Sequence, residues 1–247
     1  MRTEAQGAML VVTGATAVRL IVTDSYLWYL KSSMRIPLLL AGIALLGLGV
    51  LTLLRFWRAP AAEAAAGAHD HGDGHDHGHQ MTSVAWLLAV PLLVLFLITP
   101  APLGAYAVER ETPREPAPVT SPFSPLPEPV DGAVDITLTE LMTRSYYDSS
   151  GSLVDVPVRL SGFVVTEPPL SDGFRLARFT LSCCAADAFA IQVEVHGLDG
   201  PVPEVDTWVE VVGTWIEPPS DASGAQRGVA VRASSVTPIE RPTFPYE

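Results

Sequence analysis

The sequence has little positive charge and almost no cysteine, and both shortages limit what the protein can do. Its 247 residues contain 15 Lys and Arg against 27 Asp and Glu, a net charge of −12, with only two cysteines. A nucleic-acid-binding surface needs concentrated Lys and Arg, so we expect no nucleic-acid partner. Two adjacent cysteines also exclude a secreted scaffold held together by several disulfides.

Long parts of the chain lack charge altogether. Only 17% of the residues are charged and 48% are hydrophobic, whereas an ordinary soluble domain is about 25% charged. Residues 1–58 carry six basic against two acidic residues, residues 81–108 carry none, and residues 109–247 carry nine against 21. The chain therefore divides into an apolar N-terminal part and an acidic C-terminal part. The latter is long enough for one small domain only, and we expect no enzyme.

Three apolar segments predict membrane-spanning helices. Residues 36–54 are 19 uncharged, mostly apolar residues, close to the roughly 20 that cross a bilayer. Residues 81–108 form a second uncharged run. Residues 5–23 are less apolar and are interrupted by Arg19, whose long side chain can reach the membrane surface. For this segment a helix lying on the lipid bilayer is the alternative.

Three spans place the two ends of the protein on opposite sides of the cell membrane. The basic residues that flank the spans are nearly balanced between the two sides, so charge does not set the orientation. The third apolar run closes with Ala105, Tyr106 and Ala107, a small-residue ending similar to that of a secretory signal. We therefore predict a multi-pass membrane protein whose C-terminal domain is extracytoplasmic.

Residues 59–80 form a predicted loop between the second and third spans that is rich in His, Asp and Gly. Five of the six histidines alternate there with aspartates: His69, His71, His75, His77 and His79. Imidazole and carboxylate donors suit zinc, nickel or copper, so the loop is a weak candidate site for collecting metal. Two alternatives stay open, a low-complexity loop that binds metal only incidentally and a pH sensor.

Proline separates the membrane part from the C-terminal domain. Seven prolines between residues 110 and 129 predict an extended spacer over 109–131. In the domain, residues 132–247, an amphipathic pattern predicts a helix over 136–147. Five strand-like runs follow, over 156–166, 174–183, 191–195, 207–216 and 229–237. One helix and five short strands predict a mostly-β, OB-like barrel, with a β-sandwich as the alternative.

The two cysteines, Cys183 and Cys184, are adjacent at the end of a predicted strand. Successive side chains of a strand point to opposite faces, so a strand through both would bury only one thiol. Three interpretations stay open. The thiols are small core residues, or with Asp187 they bind zinc or another divalent metal, or they form a strained redox pair. His196 is the obvious fourth metal ligand, and no convincing partner for nucleophilic catalysis accompanies the thiols.

Several short motifs resemble the YcgQ-type family of bacterial membrane proteins. They lie at residues 29–31, 34–35, 162–164, 178–179, 183–188, 208–213 and 242–246. The resemblance implies an integral membrane protein that forms one subunit of a two-component permease, with a larger YcgR-type permease as its partner. It also singles out Cys183, Cys184 and Asp187 by motif match.

These observations predict an accessory subunit of a membrane permease. Three spans with so few polar residues do not easily line a transport path, so the pore would belong to the partner. The exported β domain would capture or gate a solute, with a divalent metal as the candidate. The alternatives are a membrane-tethered metal or thiol sensor or binding protein that transports nothing, and a structural protein of the cell envelope.

Overall fold

The computed structural model describes residues 3–58, 89–98, 101–111, 123–217 and 228–247. The chain divides into two compact units, Met1–Ala101 and Pro102–Glu247. The predicted His-rich loop lies outside the described residues.

The N-terminal unit is built on two long apolar helices that pack against each other, α1 (Thr3–Val22) and α2 (Arg35–Arg58). Two short 3-10 turns, Ser25–Trp28 and Ser32–Met34, connect them. Both helices are long and apolar enough to cross a membrane.

The third predicted span is described only in part. The longest helix in its described portions is the nine-residue α3 (Ala89–Leu97), which is shorter than the roughly 20 residues that a span needs. Residues 81–88 lie outside the described part of the chain. The structure therefore provides two helices of spanning length among the described residues, not the three that the sequence predicts.

Helices α1 and α2 approach each other at glycines. A Cβ atom at Gly14 would lie 2.7 Å from the carbonyl oxygen of Gly42, and one at Gly49 would lie 2.9 Å from that of Gly7. The two backbones are therefore in direct contact, as is typical of small residues between membrane helices. Large apolar side chains point outward instead, and Leu40 is 62% exposed.

The C-terminal unit is mostly β. Its strands are β1 (Val134–Asp135), β2 (Pro157–Val165), β3 (Gly173–Thr180), β4 (Phe189–His196), β5 (Trp208–Ile216) and β6 (Ala230–Pro238). Strands β2, β3, β4, β6 and β5 pair in that order, and β5 pairs back to β2. Five strands thus close into a barrel, while the short β1 only adds to β2. The mostly-β barrel prediction is confirmed, and the sandwich alternative is wrong because the sheet closes on itself.

The barrel core follows from alternation along the strands. In β4, Ile191, Val193 and Val195 are buried while the residues between them are half-buried, as the period of two requires. The predicted helix is present as α5 (Leu138–Tyr147), and the Thr137 hydroxyl caps it by accepting the Glu140 N–H. Its apolar face packs against β3 and β4 and joins the same core.

Residues 102–111 pack on the barrel. They contain the short helix α4 (Ala105–Val108), whose first N–H donates to Asp206 Oδ1 at 2.7 Å. Glu111 accepts the Ala190 N–H at 2.7 Å. Sequence analysis assigned these residues partly to the third span and partly to the spacer, whereas their contacts are with the β domain.

Candidate metal centre

A tight turn brings the two cysteines together. Strand β3 ends at Thr180, earlier than the predicted end at residue 183, so the strand does not carry the two thiols to opposite faces. Cys184 is the N-cap of a 3-10 turn, Ala185–Asp187. As a result the two Sγ atoms and a carboxylate oxygen of Asp187 lie within 4.8 Å of one another.

The Asp187 carboxylate holds this turn in shape. Its Oδ1 accepts the Ser182 N–H at 2.7 Å, and its Oδ2 accepts the N–H groups of Cys183 at 2.8 Å and Cys184 at 3.2 Å. In return the Cys184 sulfur accepts the Asp187 N–H. This is a capping box with cysteine as the N-cap, and it fixes the backbone of both cysteines through one side chain.

The start of the turn is fixed by residues at the far end of the sequence. The Leu181 N–H donates to the backbone oxygen of Glu247 at 3.3 Å, and the Glu247 N–H donates to Phe179 at 2.9 Å. The Glu247 carboxylate accepts the N–H groups of Leu138 and Thr139 at 2.9 Å each. It therefore joins the start of α5 to the Cys turn. Sequence reasoning missed Glu247, because no local pattern indicates a contact across 109 residues.

Neither thiol belongs to the barrel core. Both cysteines are free, with Cys183 exposed and Cys184 half-buried. A hydrogen bond to Asp187 and then one to Cys184 raise the pKa of Cys183 to about 12. The hydrogen bond from the Cys183 thiol lowers the pKa of Asp187 to about 2, and the hydrogen bonds from the backbone N–H groups add to this effect. At neutral pH Cys183 is thus a protonated thiol and a poor nucleophile, and a metal ion that binds there must displace its proton.

His196 is not a fourth ligand of this group. Strand pairing sets His196 opposite Gly173, at the start of β3, whereas the Cys turn follows the end of β3. At about 3.3 Å per residue the two ends are roughly 20 Å apart. The imidazole is occupied elsewhere, with Nδ1 2.7 Å from Asp172 Oδ1 and Nε2 3.2 Å from Glu194 Oε2. These carboxylates lie against opposite nitrogens of the ring, so the three side chains do not converge on one ion.

The remaining predicted metal ligands, the five histidines of residues 69–79, lie outside the described part of the chain. What the structure brings together is a group of two sulfur donors and one carboxylate, and this group could hold a metal ion. Thiolate ligands favour zinc and monovalent copper among the common metals. No other His, Cys, Asp or Glu joins the group among the residues that the structure describes.

The fold and the site thus define the class of protein. It has two apolar helices of spanning length and a small closed barrel that carries a Cys-Cys-Asp group on its surface. The model of the DUF1980 N-terminal domain matches residues 5–112, and that of the DUF1980 C-terminal domain matches residues 137–247. The chain therefore belongs to the DUF1980 family. This corrects the resemblance to the YcgQ-type family, which is a different family and rested on a few short, dispersed motifs.

A DUF3299 family protein from Pseudomonas aeruginosa PAO1, known from a crystal structure, is similar to part of this chain. The similarity covers 34% of this chain and 62% of that one, with 25% sequence identity and a TM-score of 0.24. This chain thus spans less than two thirds of the length of that protein. No curated protein matches the chain.

Proposed function

We propose that the protein is a membrane-anchored metal-binding protein whose β domain captures a thiophilic divalent ion. Zinc is the first candidate, and its ligands are Cys183, Cys184 and Asp187. The observation that carries this proposal is the convergence of three donor atoms within 4.8 Å on the surface of a folded domain.

The geometry needs only a small adjustment to hold zinc. With bonds of about 2.3 Å to sulfur and about 2.1 Å to oxygen, the donor atoms of a tetrahedral site lie roughly 3.5–3.8 Å apart. Movements of about 1 Å by the side chains would bring the three donors to these separations. Once an ion has displaced the thiol protons, two thiolates and a carboxylate carry three negative charges, which attract a divalent cation and repel an anion.

Metal titration of the full chain in detergent tests this proposal. Because the histidines of residues 69–79 supply a second set of donors, all five are first replaced by Ala. We expect one zinc ion per chain in competition with a chromophoric chelator. Loss of a residue that only contacts a metal ligand typically weakens metal binding about 10–100-fold. Cys183→Ser and Cys184→Ser should each weaken zinc binding by more than this.

Asp187→Asn has a matched control in Asp172→Asn, which removes another hydrogen-bonded carboxylate from the same domain. We expect Asp187→Asn to weaken zinc binding and Asp172→Asn to leave it unchanged. The proposal fails if the parent chain binds no zinc, or if the variant lacking both thiols binds it equally well.

We also infer that α1 and α2 anchor the protein in a membrane. Their length, their outward apolar side chains and the glycine contacts between them support this. The chain should stay in the membrane pellet after alkaline carbonate extraction. Release into the supernatant would contradict the anchor.

The extracytoplasmic side of the β domain stays a prediction. A membrane-impermeant maleimide applied to intact cells should label Cys183 if the domain is exported, slowly because the thiol is protonated at neutral pH. Labelling only after the cells are permeabilised would reverse the predicted orientation.

The role as an accessory permease subunit was implied by the resemblance to the YcgQ-type family, which the family match corrects. The described residues give this role no support, and it stays a prediction. Its test is the purification of the tagged chain from cells in mild detergent. A larger membrane protein recovered in fixed stoichiometry would favour the permease subunit over a protein that binds metal without transport.

We infer, finally, that the barrel is of the OB type. If its strands are numbered one to five along the chain, their order around the barrel is 1-2-3-5-4 and back to 1, with strands three and five parallel. This order supports the five-stranded Greek-key closure of OB folds. Nucleic-acid binding does not follow from the fold, because the domain is acidic.

A further inference from the structure

The candidate metal centre supplies three ligands, while thiolate-bound zinc takes four in structural sites. We infer that the fourth ligand comes from a second molecule, so that Cys183, Cys184 and Asp187 form an exchange site. The site would receive a thiophilic divalent ion from an external sulfur or nitrogen donor, or release the ion to one. This inference rests on the proposed function of the same site.

The first argument is the number of donors. The group contains two thiols and one carboxylate, and no further His, Cys, Asp or Glu joins it within the described ranges. Both ring nitrogens of His196 contact carboxylates at the other end of the β3–β4 hairpin. Closed sites of four protein ligands are structural, whereas sites with three protein ligands keep a position for an exchangeable ligand.

The second argument is access. Cys183 is exposed, and so are Ser182 before it and Ala186 within the turn. A donor atom of another molecule can therefore approach the open position without any movement of the barrel. A buried site would first require local unfolding, which is slow and costs free energy.

The third argument is that the turn is formed without an ion. Three backbone N–H groups donate to Asp187, and the Asp187 N–H donates back to Cys184. Glu247 fixes the preceding residue, Leu181. In structural zinc sites the ion supplies much of the folding free energy, whereas here hydrogen bonds already hold the three donors in place. The ion can leave while the domain stays folded.

Transfer then follows an associative sequence. The donor atom of the acceptor first forms a bond to the ion at the fourth position. The bonds from the ion to Cys183, Cys184 and Asp187 break next, and the two thiolates take up protons from solvent. No electron moves, and the ion keeps its charge throughout.

Cobalt(II), which replaces zinc and absorbs visible light, tests the open position. The full chain in detergent, with the histidines of residues 69–79 replaced by Ala, is loaded with cobalt and titrated with imidazole. We expect sulfur-to-cobalt charge-transfer absorption, lost in the Cys183→Ser, Cys184→Ser variant, and a shift of the visible bands as imidazole binds. His196→Ala, the matched control, should give the parent spectrum and the same shift.

Four results separate the inference from the proposed function. Absence of sulfur-to-cobalt absorption in the parent chain would overturn the metal site itself. Normal absorption with bands that imidazole does not change would leave the site standing and overturn the open position. A metal-dependent dimer in light scattering would overturn exchange with an external donor, because a second copy would close the site. Loss of the near-UV circular dichroism of the barrel on chelation would show a structural site instead.

Kinetics give an independent readout. Zinc release from the loaded chain to a thiol chelator should become faster in proportion to the chelator concentration, because the acceptor binds before the ion leaves. A release rate that is independent of chelator concentration would show that the ion dissociates first, and it would overturn the associative sequence.

Discussion

The two units of the protein place glycine and leucine in opposite positions. Between α1 and α2 the contact is made by glycines, and large apolar residues such as Leu40 lie outside. In the barrel the large apolar residues lie inside, and Leu176 is 0% exposed. The barrel gains stability by removing apolar side chains from water. Helices α1 and α2 instead associate through close packing at glycines, as helices do where lipid replaces water.

The same substitution should therefore have consequences of very different size in the two units. Leu176→Ala leaves a cavity in the barrel and should cost about 2–5 kcal/mol of its free energy of unfolding. Leu40→Ala removes a side chain that touches no core and should change stability by only about 0.5 kcal/mol. Chemical denaturation of the full chain in detergent, followed by near-UV circular dichroism, measures both. Equal losses would mean that α2 is packed like a soluble core helix.

Glycine should show the reverse sensitivity. A side chain at Gly14 of α1 would meet backbone atoms of α2 at 2.7 Å, whereas one at Gly47 of α2 would meet nothing within 4 Å. We expect Gly14→Leu to separate the helices at a cost of about 1–3 kcal/mol, the range for overpacked sites, and Gly47→Leu to be tolerated. Titration with SDS in mixed micelles measures this difference. Similar midpoints for the two variants would contradict a glycine-mediated contact.

Much of the barrel could be predicted from the sequence, because alternation and turn residues are local signals. The helix predicted over 136–147 and the five strands that follow it all appear. The docking of residues 102–111 on the barrel could not be predicted, since it depends on long-range contacts. These are hydrogen bonds with Asp206 and Ala190 and the burial of Ala105 and Val108 against barrel residues. Apolar residues that pack on a domain and apolar residues that face lipid look alike in composition.

The site was predictable in its residue types and not in its geometry. The adjacency of Cys183 and Cys184 identified the candidates, yet strand alternation alone would have separated the two thiols. Their convergence follows from the early end of β3 and from the bonds that Asp187 makes to three backbone N–H groups. No sequence rule predicts that β3 ends at Thr180. His196 was a candidate ligand only because the pairing of strands cannot be read from a single sequence.

Within the barrel, the two ends of the β3–β4 hairpin offer a second comparison. At each end an aspartate raises the pKa of a neighbour, Asp187 that of Cys183 and Asp172 that of His196. The chemical consequences are opposite. A raised thiol pKa keeps Cys183 uncharged at neutral pH, whereas a raised imidazole pKa favours charged His196.

At the cysteine end, Asp187→Asn should make Cys183 more reactive. The substitution removes the negative charge and replaces one carboxylate oxygen by an NH2 group, which weakens the contact that holds the pKa of Cys183 at about 12. The pKa should therefore fall toward 9.0, its ordinary value. Each unit of decrease raises the thiolate fraction about ten-fold at neutral pH. The rate of alkylation by iodoacetamide against pH, measured in a Cys184→Ser background, reports the pKa. Asp172→Asn serves as the control, and an unchanged profile in Asp187→Asn would contradict the assignment of cause.

At the histidine end the expected effect is the smallest and concerns stability. Burial lowers the pKa of His196, but the hydrogen bonds to Asp172 and Glu194 outweigh it and raise the pKa above 6.5. The Arg175 guanidinium lies 3.5 Å from Glu194, and Arg232 on β6 is the strand-pairing neighbour of His196 on β4. The hydrogen bond from His196 also lowers the pKa of Asp172 below 3.8.

The raised pKa of His196 contributes stability that is complete below about pH 6.5 and is lost as the pH rises through the folded-state pKa. The lowered pKa of Asp172 contributes stability that is present above about pH 3.8 and is lost as the pH falls further. Asp172→Asn should therefore lower the melting temperature of the barrel most between about pH 4 and 6.5, and hardly at pH 9. Melting curves at pH 5.5 and pH 9 decide this. A decrease of the same size at both pH values would mean that Asp172 acts through shape rather than through its charge on the imidazole.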